Sequence, residues 1–251
     1  MRKSMLAAAA LLTSFMSLSA AAEPLAQVSL LQPPVWIERG GHKAALGAGA
    51  ELQAGDRLVT GARGRVHLAL GDASTVKLGE NAEFLMPELG LAQDNGDSMF
   101  KGVLQVVKGA FRYTTSALGK LKRRDISVRI GPTVTAGIRG TDIWGKSDTS
   151  QDLICLLEGS IEVTSPGQPA QRMSEARTFY VVPQGKSPLP ITGAPEEKLA
   201  TWAPQTELRQ DAVALQAGGK WSVLLAQYTD SKRAQQRVAE LGALGYAVEA
   251  A

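Results

Sequence analysis

Arg65-Val66-His67-Leu68-Ala69-Leu70-Gly71-Asp72 decides the class of this fold. Val66, Leu68 and Leu70 alternate with Arg65, His67 and Ala69, so a period of two places the aliphatic trio on one face. The run predicts a half-buried strand that stops at Gly71-Asp72, with His67 on its outer face. Working outward, the same period dominates from about Gln27 to Val182. Shorter runs occur at Val35-Trp36-Ile37, residues 56–60, 75–78 and 83–86, and Gly102 to Tyr113. Others follow at residues 126–130, 141–144, 152–157, 160–164 and 178–182. Glycine-containing turn signals such as Gly55-Asp56, Gly61, Gly79 and Gly159 separate most of them, at positions that often need positive φ. Many short strands with tight turns predict an all-β main domain: a sandwich, roll or barrel.

Location is read from the N-terminus. Arg2 and Lys3 precede a mostly apolar Met5–Leu18, and Ala20-Ala21-Ala22 precedes Glu23-Pro24, the pattern of a secretory signal peptide cleaved after Ala22. The apolar core is short for a membrane span and is diluted by hydroxyls. The expectation is a periplasmic protein with no membrane insertion after signal cleavage. Losing Arg2 and Lys3 from 27 Lys plus Arg leaves 25 against 24 Asp plus Glu. A net charge near zero gives no whole-chain field for steering phosphates, and no nucleic-acid partner is expected. Lys120-Leu121-Lys122-Arg123-Arg124 is one basic cluster, read as a solvated loop. Cys155 is the only cysteine. It excludes an intramolecular disulfide, and in Leu153-Ile154-Cys155-Leu156-Leu157 it reads as a small buried hydrophobe.

Catalytic patterns are sparse. His42 and His67 are the only histidines and neither has a ligand partner at metal spacing. Ser74-Thr75-Val76-Lys77 matches Ser-x-x-Lys, but in a strand residues three apart face opposite sides. Glu196-Glu197 sits in a proline-rich stretch and reads as solvated. The expectation is a protein that is not an enzyme, with no metal and no cofactor.

From Gly185 the composition changes. Pro188, Pro190, Pro195 and Pro204 break both periodicities and predict a linker, with a short helix over Gln205–Ala217. Trp202 is expected to pack back on the β domain. Then Lys220–Tyr228 reads as a strand, and a helix capped by Asp230 or Ser231 runs to Leu244, with Ala234, Val238, Leu241 and Leu244 as its stripe. Gly245 suits its left-handed stop, and Tyr246–Glu249 starts a second strand. This small unit is α+β, in the order β-α-β.

Two resemblances add to this reading. Residues 52–61, 66–72 and 76–79 resemble the first half of the FecR domain. Thr133–Thr141, with its Gly137-Ile138-Arg139-Gly140-Thr141, and Leu156–Val163 resemble its second half, over Gly40 to Gly185 in all. The resemblance implies an extracytoplasmic β domain for sensing, scaffolding or envelope binding. Iron-sensing members control a sigma factor through a cytoplasmic segment and a membrane helix. Neither is read in this chain, so that role is not carried over. Within the motif, Arg139 is either a structural clamp or a ligand-binding residue, with Asp142 its partner in both cases. Lys220–Ala251 resembles the opening half of a SPOR domain, which binds peptidoglycan glycan strands. It departs from that family in Leu224, where a polar glutamine is frequent, and in covering half of the usual unit. The resemblance, with ring stacking on sugars, makes Trp221, Gln227 and Tyr228 the glycan-binding candidates.

The expected organisation is a signal peptide (1–22), a FecR-like β domain (23–186), a linker (187–219) and a partial SPOR-like unit (220–251). The expected function is an exported envelope-associated binding or scaffold protein, its β domain recognising an envelope protein and its tail peptidoglycan glycan. The alternative is a periplasmic signal receptor that recognises a transporter or ligand and relays through a membrane partner.

Overall fold

The computed structural model describes residues 24–94, 96–117 and 123–250. The signal-peptide reading, and Lys120 to Lys122 of the basic cluster, lie outside the described residues. Among the described residues eighteen strands form two sheets that share β9. The first runs β1 (Ala26–Gln32), β6 (Arg65–Leu70), β7 (Ser74–Leu78), the end of β9 (Asp97–Thr115), β12 (Asp142–Ser147), β13 (Gln151–Glu158), β16 (Thr178–Pro183) and β17 (Thr192–Gly193). β4 (Glu51–Leu52) and β18 (Leu215–Gln216) share the free edge of β1. The second runs β3 (His42–Ala45), β2 (Val35–Arg39), β5 (Arg57–Thr60), β8 (Glu83–Asp94), the start of β9, β10 (Arg124–Ile130), β11 (Val134–Ile138), β14 (Ile161–Thr164) and β15 (Gln171–Met173). All pairings are antiparallel except β9 with β10.

Alternation builds the core. Val66, Leu68 and Leu70 of the deciding run are buried, as are Val76, Phe111 and Ile154 of the same sheet, against Leu58, Phe84, Leu104 and Val128 of the other. The expected all-β architecture is observed, as two sheets closing on one core. Several strands were not legible beforehand, among them β11, whose Val134-Thr135-Ala136-Gly137-Ile138 carries small and glycine residues at every other position.

β9 joins the layers. Its first part pairs with β8 and β10, and its last part with β7 and β12. The switch falls at Gly109, whose φ is +89° and where a Cβ would lie 2.5 Å from Ala82 Cα, so only glycine fits. Two further crossings meet at one corner. The Gly140-Thr141 turn carries the chain from β11 to β12, and Gly159 carries it back from β13 to β14. A Cβ on Gly159 (φ +90°) would stand 2.8 Å from the Gly140 carbonyl oxygen.

The stretch read as a linker is a strap across the outer face of the first sheet. It pairs with β16 through β17 and with β1 through β18, and between them runs α1 (Glu196–Trp202) and a 3-10 turn at Ala203–Gln205. The helix expected over Gln205–Ala217 does not form. Gln32 holds Arg209 N–H and the carbonyls of Arg209 and Ala212, and Leu215-Gln216 pairs with the edge of β1. Those tertiary bonds replace the helical ones.

The tail departs from β-α-β. α2 (Ser231–Ala243) forms as expected, its N-cap Asp230 accepting from Lys232 N–H at 2.8 Å, with Gly245 at φ +83°. Ala234, Val238 and Leu241 are only half-buried and Leu244 is exposed. Lys220–Tyr228 and Tyr246–Glu249 are not strands. The chain leaving α2 is bound elsewhere: Val35 N–H donates to the Gly245 carbonyl at 3.0 Å, and Trp36 Nε1 donates to that of Ala243 at 3.3 Å. It therefore does not return beside residues 220–228.

Candidate functional site

Arg139 and Asp142 flank the corner where β11 passes into β12, but they are not brought together. Asp142 accepts from Arg112 Nε at 2.9 Å and Nη2 at 2.6 Å, and from Thr114 Oγ1 at 3.1 Å. Arg139 is exposed and has no hydrogen-bond or ion-pair partner among the described residues. Its expected clamp is not formed, because Arg112 on the adjacent strand lies beside Thr114 and reaches Asp142 first in register. The rest of the motif serves the fold. Thr115 N–H donates to the Thr141 carbonyl at 2.9 Å, Thr141 N–H donates to Thr115 Oγ1 at 3.3 Å, and Gly140 adopts φ +72°.

The strap seals the face beside this corner. Trp202 stacks on Trp144 at 5.0 Å and 4°, as its packing was expected to do, and meets Phe179 edge-on at 6.0 Å. Glu207 accepts from Lys77 Nζ at 2.6 and 2.8 Å and from Arg112 at 3.3 Å. Burial alone would raise the Glu207 carboxyl; hydrogen bonds from Lys77 and the charges of Lys77 and Arg112 outweigh it and hold it below its usual range. His67 is on the outer face, as its parity predicts, yet it is buried because the strap covers it. Its Nε2 meets the Thr206 carbonyl at 3.2 Å, and burial, then Lys77, lower its pKa. Arg112 was not singled out beforehand, and Lys77 only as the last residue of the Ser-x-x-Lys match. Their outward parity was legible, but the acid that joins them comes from the proline-rich stretch.

Three aspartates are spent on structure. Asp56 accepts from Arg39 Nε and Nη2, both at 2.6 Å. Asp72 accepts from Ser74 N–H at 2.9 Å and Oγ at 2.8 Å and pairs with Arg124 at 3.1 Å. Asp152 accepts from Thr133 and Ser147. Arg124 is thus buried, whereas Arg123 pairs with Asp94 and Asp97; the expectation of a solvated loop fails for Arg124. Cys155 is buried as expected, its thiol pushed up to about 12 by burial and by Asp142. Among the described residues no group of three or more His, Cys, Asp or Glu is placed to hold a metal, and no helix is long and apolar enough to cross a membrane. A cleft of about 620 Å³ opens at the β9 switch, where Arg65, Lys108 and Lys146 mix with Glu80 and Asp148.

In the tail, Trp221 is 96% exposed and Tyr228 42%. Gln227 lies between them on the same unpaired segment, so the three glycan candidates do not share a sheet face.

These observations define an all-β domain of two packed sheets, one outer face strapped and a large part of the other open. The family model described as "FecR protein" matches residues 56–162. The match runs from the buried Asp56 through the Gly140 corner into β14. Two solved structures are similar, both crystal structures of a candidate anti-sigma factor from Parabacteroides distasonis ATCC 8503, at 1.65 and 2.50 Å resolution. They are 13% and 12% identical with TM-scores of 0.46 and 0.44, over 58% of this chain and 63% of theirs. The chain thus spans less than two thirds of their length. No curated protein matches.

Proposed function

We propose that this chain is an exported envelope protein that acts by recognition, its FecR domain receiving a protein partner in a signal relay that continues through a membrane partner. Arg139 carries the reading. It is the charged residue of the Gly137–Thr141 motif, and the fold leaves its guanidinium free while using the neighbouring glycine and threonine. A planar fork of donors held at a rigid corner suits a carboxylate on a partner. Buried carboxylates already committed to arginine, serine and threonine favour recognition over acid–base chemistry.

The location belongs to the same proposal: a signal peptide ending at Ala22 delivers the chain to the periplasm. Alkaline phosphatase fused after the full chain should be active, and N-terminal sequencing of the exported product should begin at Glu23. Formaldehyde cross-linking in intact cells should then give an envelope-protein adduct that weakens in Arg139→Glu. An inactive fusion, or the absence of any adduct, would sink the reading.

A second reading, peptidoglycan binding by the tail, is favoured by the exposure of Trp221, an indole free to stack on a sugar ring. Sedimentation of the full chain and of Trp221→Ala with sacculi rich in peptide-free glycan tests it. Equal recovery of both in the supernatant would end it.

A further inference from the structure

The open part of the second sheet carries exposed arginines that the fold leaves without partners among the described residues. On β10, β11, β14 and β15 the alternate residues not used by the core form two cross-strand rows. One row reads Val103, Ser127, Gly137, Glu162, Arg172, each hydrogen-bonded neighbour directly opposite the next. The other reads Gln105, Arg129, Thr135, Thr164. Gly137 stands inside a strand with no positive φ, and a Cβ there would meet nothing within 4 Å, so neither backbone strain nor packing asks for glycine. A strand glycine of that kind leaves room for close approach by another backbone. Ser127 beside it keeps the centre low.

Around this centre Arg129, Arg139 and Arg172 are exposed, and none has a hydrogen-bond or ion-pair partner among the described residues. The acids on the same face are Glu88, opposite Val103 at the β8 end of the first row, Asp125, which pairs with Lys101 at 3.7 Å, and Glu162. Elsewhere in the body arginines on strands are mostly paired: Arg39 with Asp56, Arg57 with Glu38 and Glu83, and Arg112 with Asp142. Three unpaired guanidinia on one open face are therefore a local departure from the molecule's own pattern.

We infer that this face, centred on Gly137 and Ser127 and ringed by Arg129, Arg139 and Arg172, docks an acidic surface of a partner protein. The inference rests on the recognition reading above and names its surface and its chemistry. Charge complementarity selects the occupant, since arginine forks match carboxylates two bonds at a time. The open space at Gly137, which admits another backbone, favours a protein over an anionic glycan.

The test is photocross-linking in cells, with p-benzoylphenylalanine placed in the full chain at Ser127, at Thr135 and, across the molecule, at Glu197 of the strap. Protein adducts are expected from Ser127 and Thr135 and not from Glu197. The variant R129E/R139E/R172E should lower adduct yield by about tenfold or more, and R129K/R139K/R172K should retain part of it. Because all three side chains are exposed, accumulation and melting of both variants should equal the parent's and separate lost docking from lost folding. Adducts from Glu197 alone, adducts of glycan instead of protein, or a charge-reversed variant with full yield would each overturn this surface while leaving partner recognition standing. Silence at all three positions would overturn both.

Discussion

Asp72 is fully buried, and its partner Arg124 has a side chain 6% exposed, so this pair sits where water cannot replace a lost bond. Ser74 donates to Asp72 from both its amide and its hydroxyl, and Tyr113 OH donates to Ser74 Oγ at 2.8 Å. Burial, and then the charge of Asp72, push the Tyr113 hydroxyl up to about 12. Asp72→Ala would strand the Arg124 cation inside the core and is expected to cost about 3–5 kcal/mol, whereas D72L/R124M should recover most of that loss. Urea unfolding of the two variants reads the difference; an Asp72→Ala protein within 1 kcal/mol of the parent would refute the buried-pair account. The sequence announced only part of this. Gly71-Asp72 was legible as a turn because a short acid after glycine caps one locally. Its pairing with Arg124 was not, since that contact depends on how β10 lies beside β9, a register with no local signature. Arg139 illustrates the converse: the motif marked the residue, but its expected partner Asp142 had a nearer cation in Arg112.

At the scale of elements the strap is the part that sequence reading missed, and the physics of the miss is plain. Pro188, Pro190, Pro195 and Pro204 erase both hydrophobic periods, α1 buries no residue fully, and β17 and β18 are two residues each. Nothing local distinguishes such a segment from a linker; its order comes from the sheet beneath. Trp202 is its apolar anchor, and Trp202→Ala should weaken strap closure by about 2 kcal/mol, less than a full core truncation because the indole is only partly buried. Hydrogen exchange should speed up at amides 203–216 while those of β6 and β12 hold; unchanged strap amides would show that Trp202 does not anchor it. The strap should also loosen in acid. His67 is neutral beneath it with a pKa below its ordinary 6.5. A released strap therefore binds more protons, so the closed form is most stable above about pH 6.5 and loses that advantage as pH falls through the lowered value. The depressed Glu207 carboxyl acts in the same direction at lower pH, its ion pairs with Lys77 and Arg112 vanishing on protonation. His67→Gln should flatten the upper part of this pH dependence and leave the lower part, as exchange rates at residues 203–216 between pH 7 and pH 5 would reveal.

For the whole molecule, the sharing of β9 between both sheets predicts how the body comes apart. Neither sheet keeps its middle without β9, and the β11–β12 and β13–β14 crossings tie the layers a second time, so residues 24–217 should unfold in one cooperative transition. The tail is held differently. Among the described residues no backbone hydrogen bond fixes 220–229, and Val223, Leu224 and Leu225 are all more than 60% exposed. Beyond them, the Gly245 and Ala243 carbonyls and a contact of Ala247 near Gly47 attach α2 to the body. Proteases need a stretch of unpaired, extended chain, and this one offers Lys220 at its start. Brief trypsin treatment of the full chain should therefore cut first after Lys220, and gel filtration should separate a body from a tail too lightly attached to stay bound. Since that cut removes no core contact, the body's melting temperature should remain within about 2 °C of the uncut protein. First cleavage inside residues 187–217 would contradict a strap bound along the sheet. A fall of many degrees after the Lys220 cut would mean that α2, through Pro34 and Trp36, supports β2 far more strongly than its few contacts suggest, and that tail and body fold as one unit.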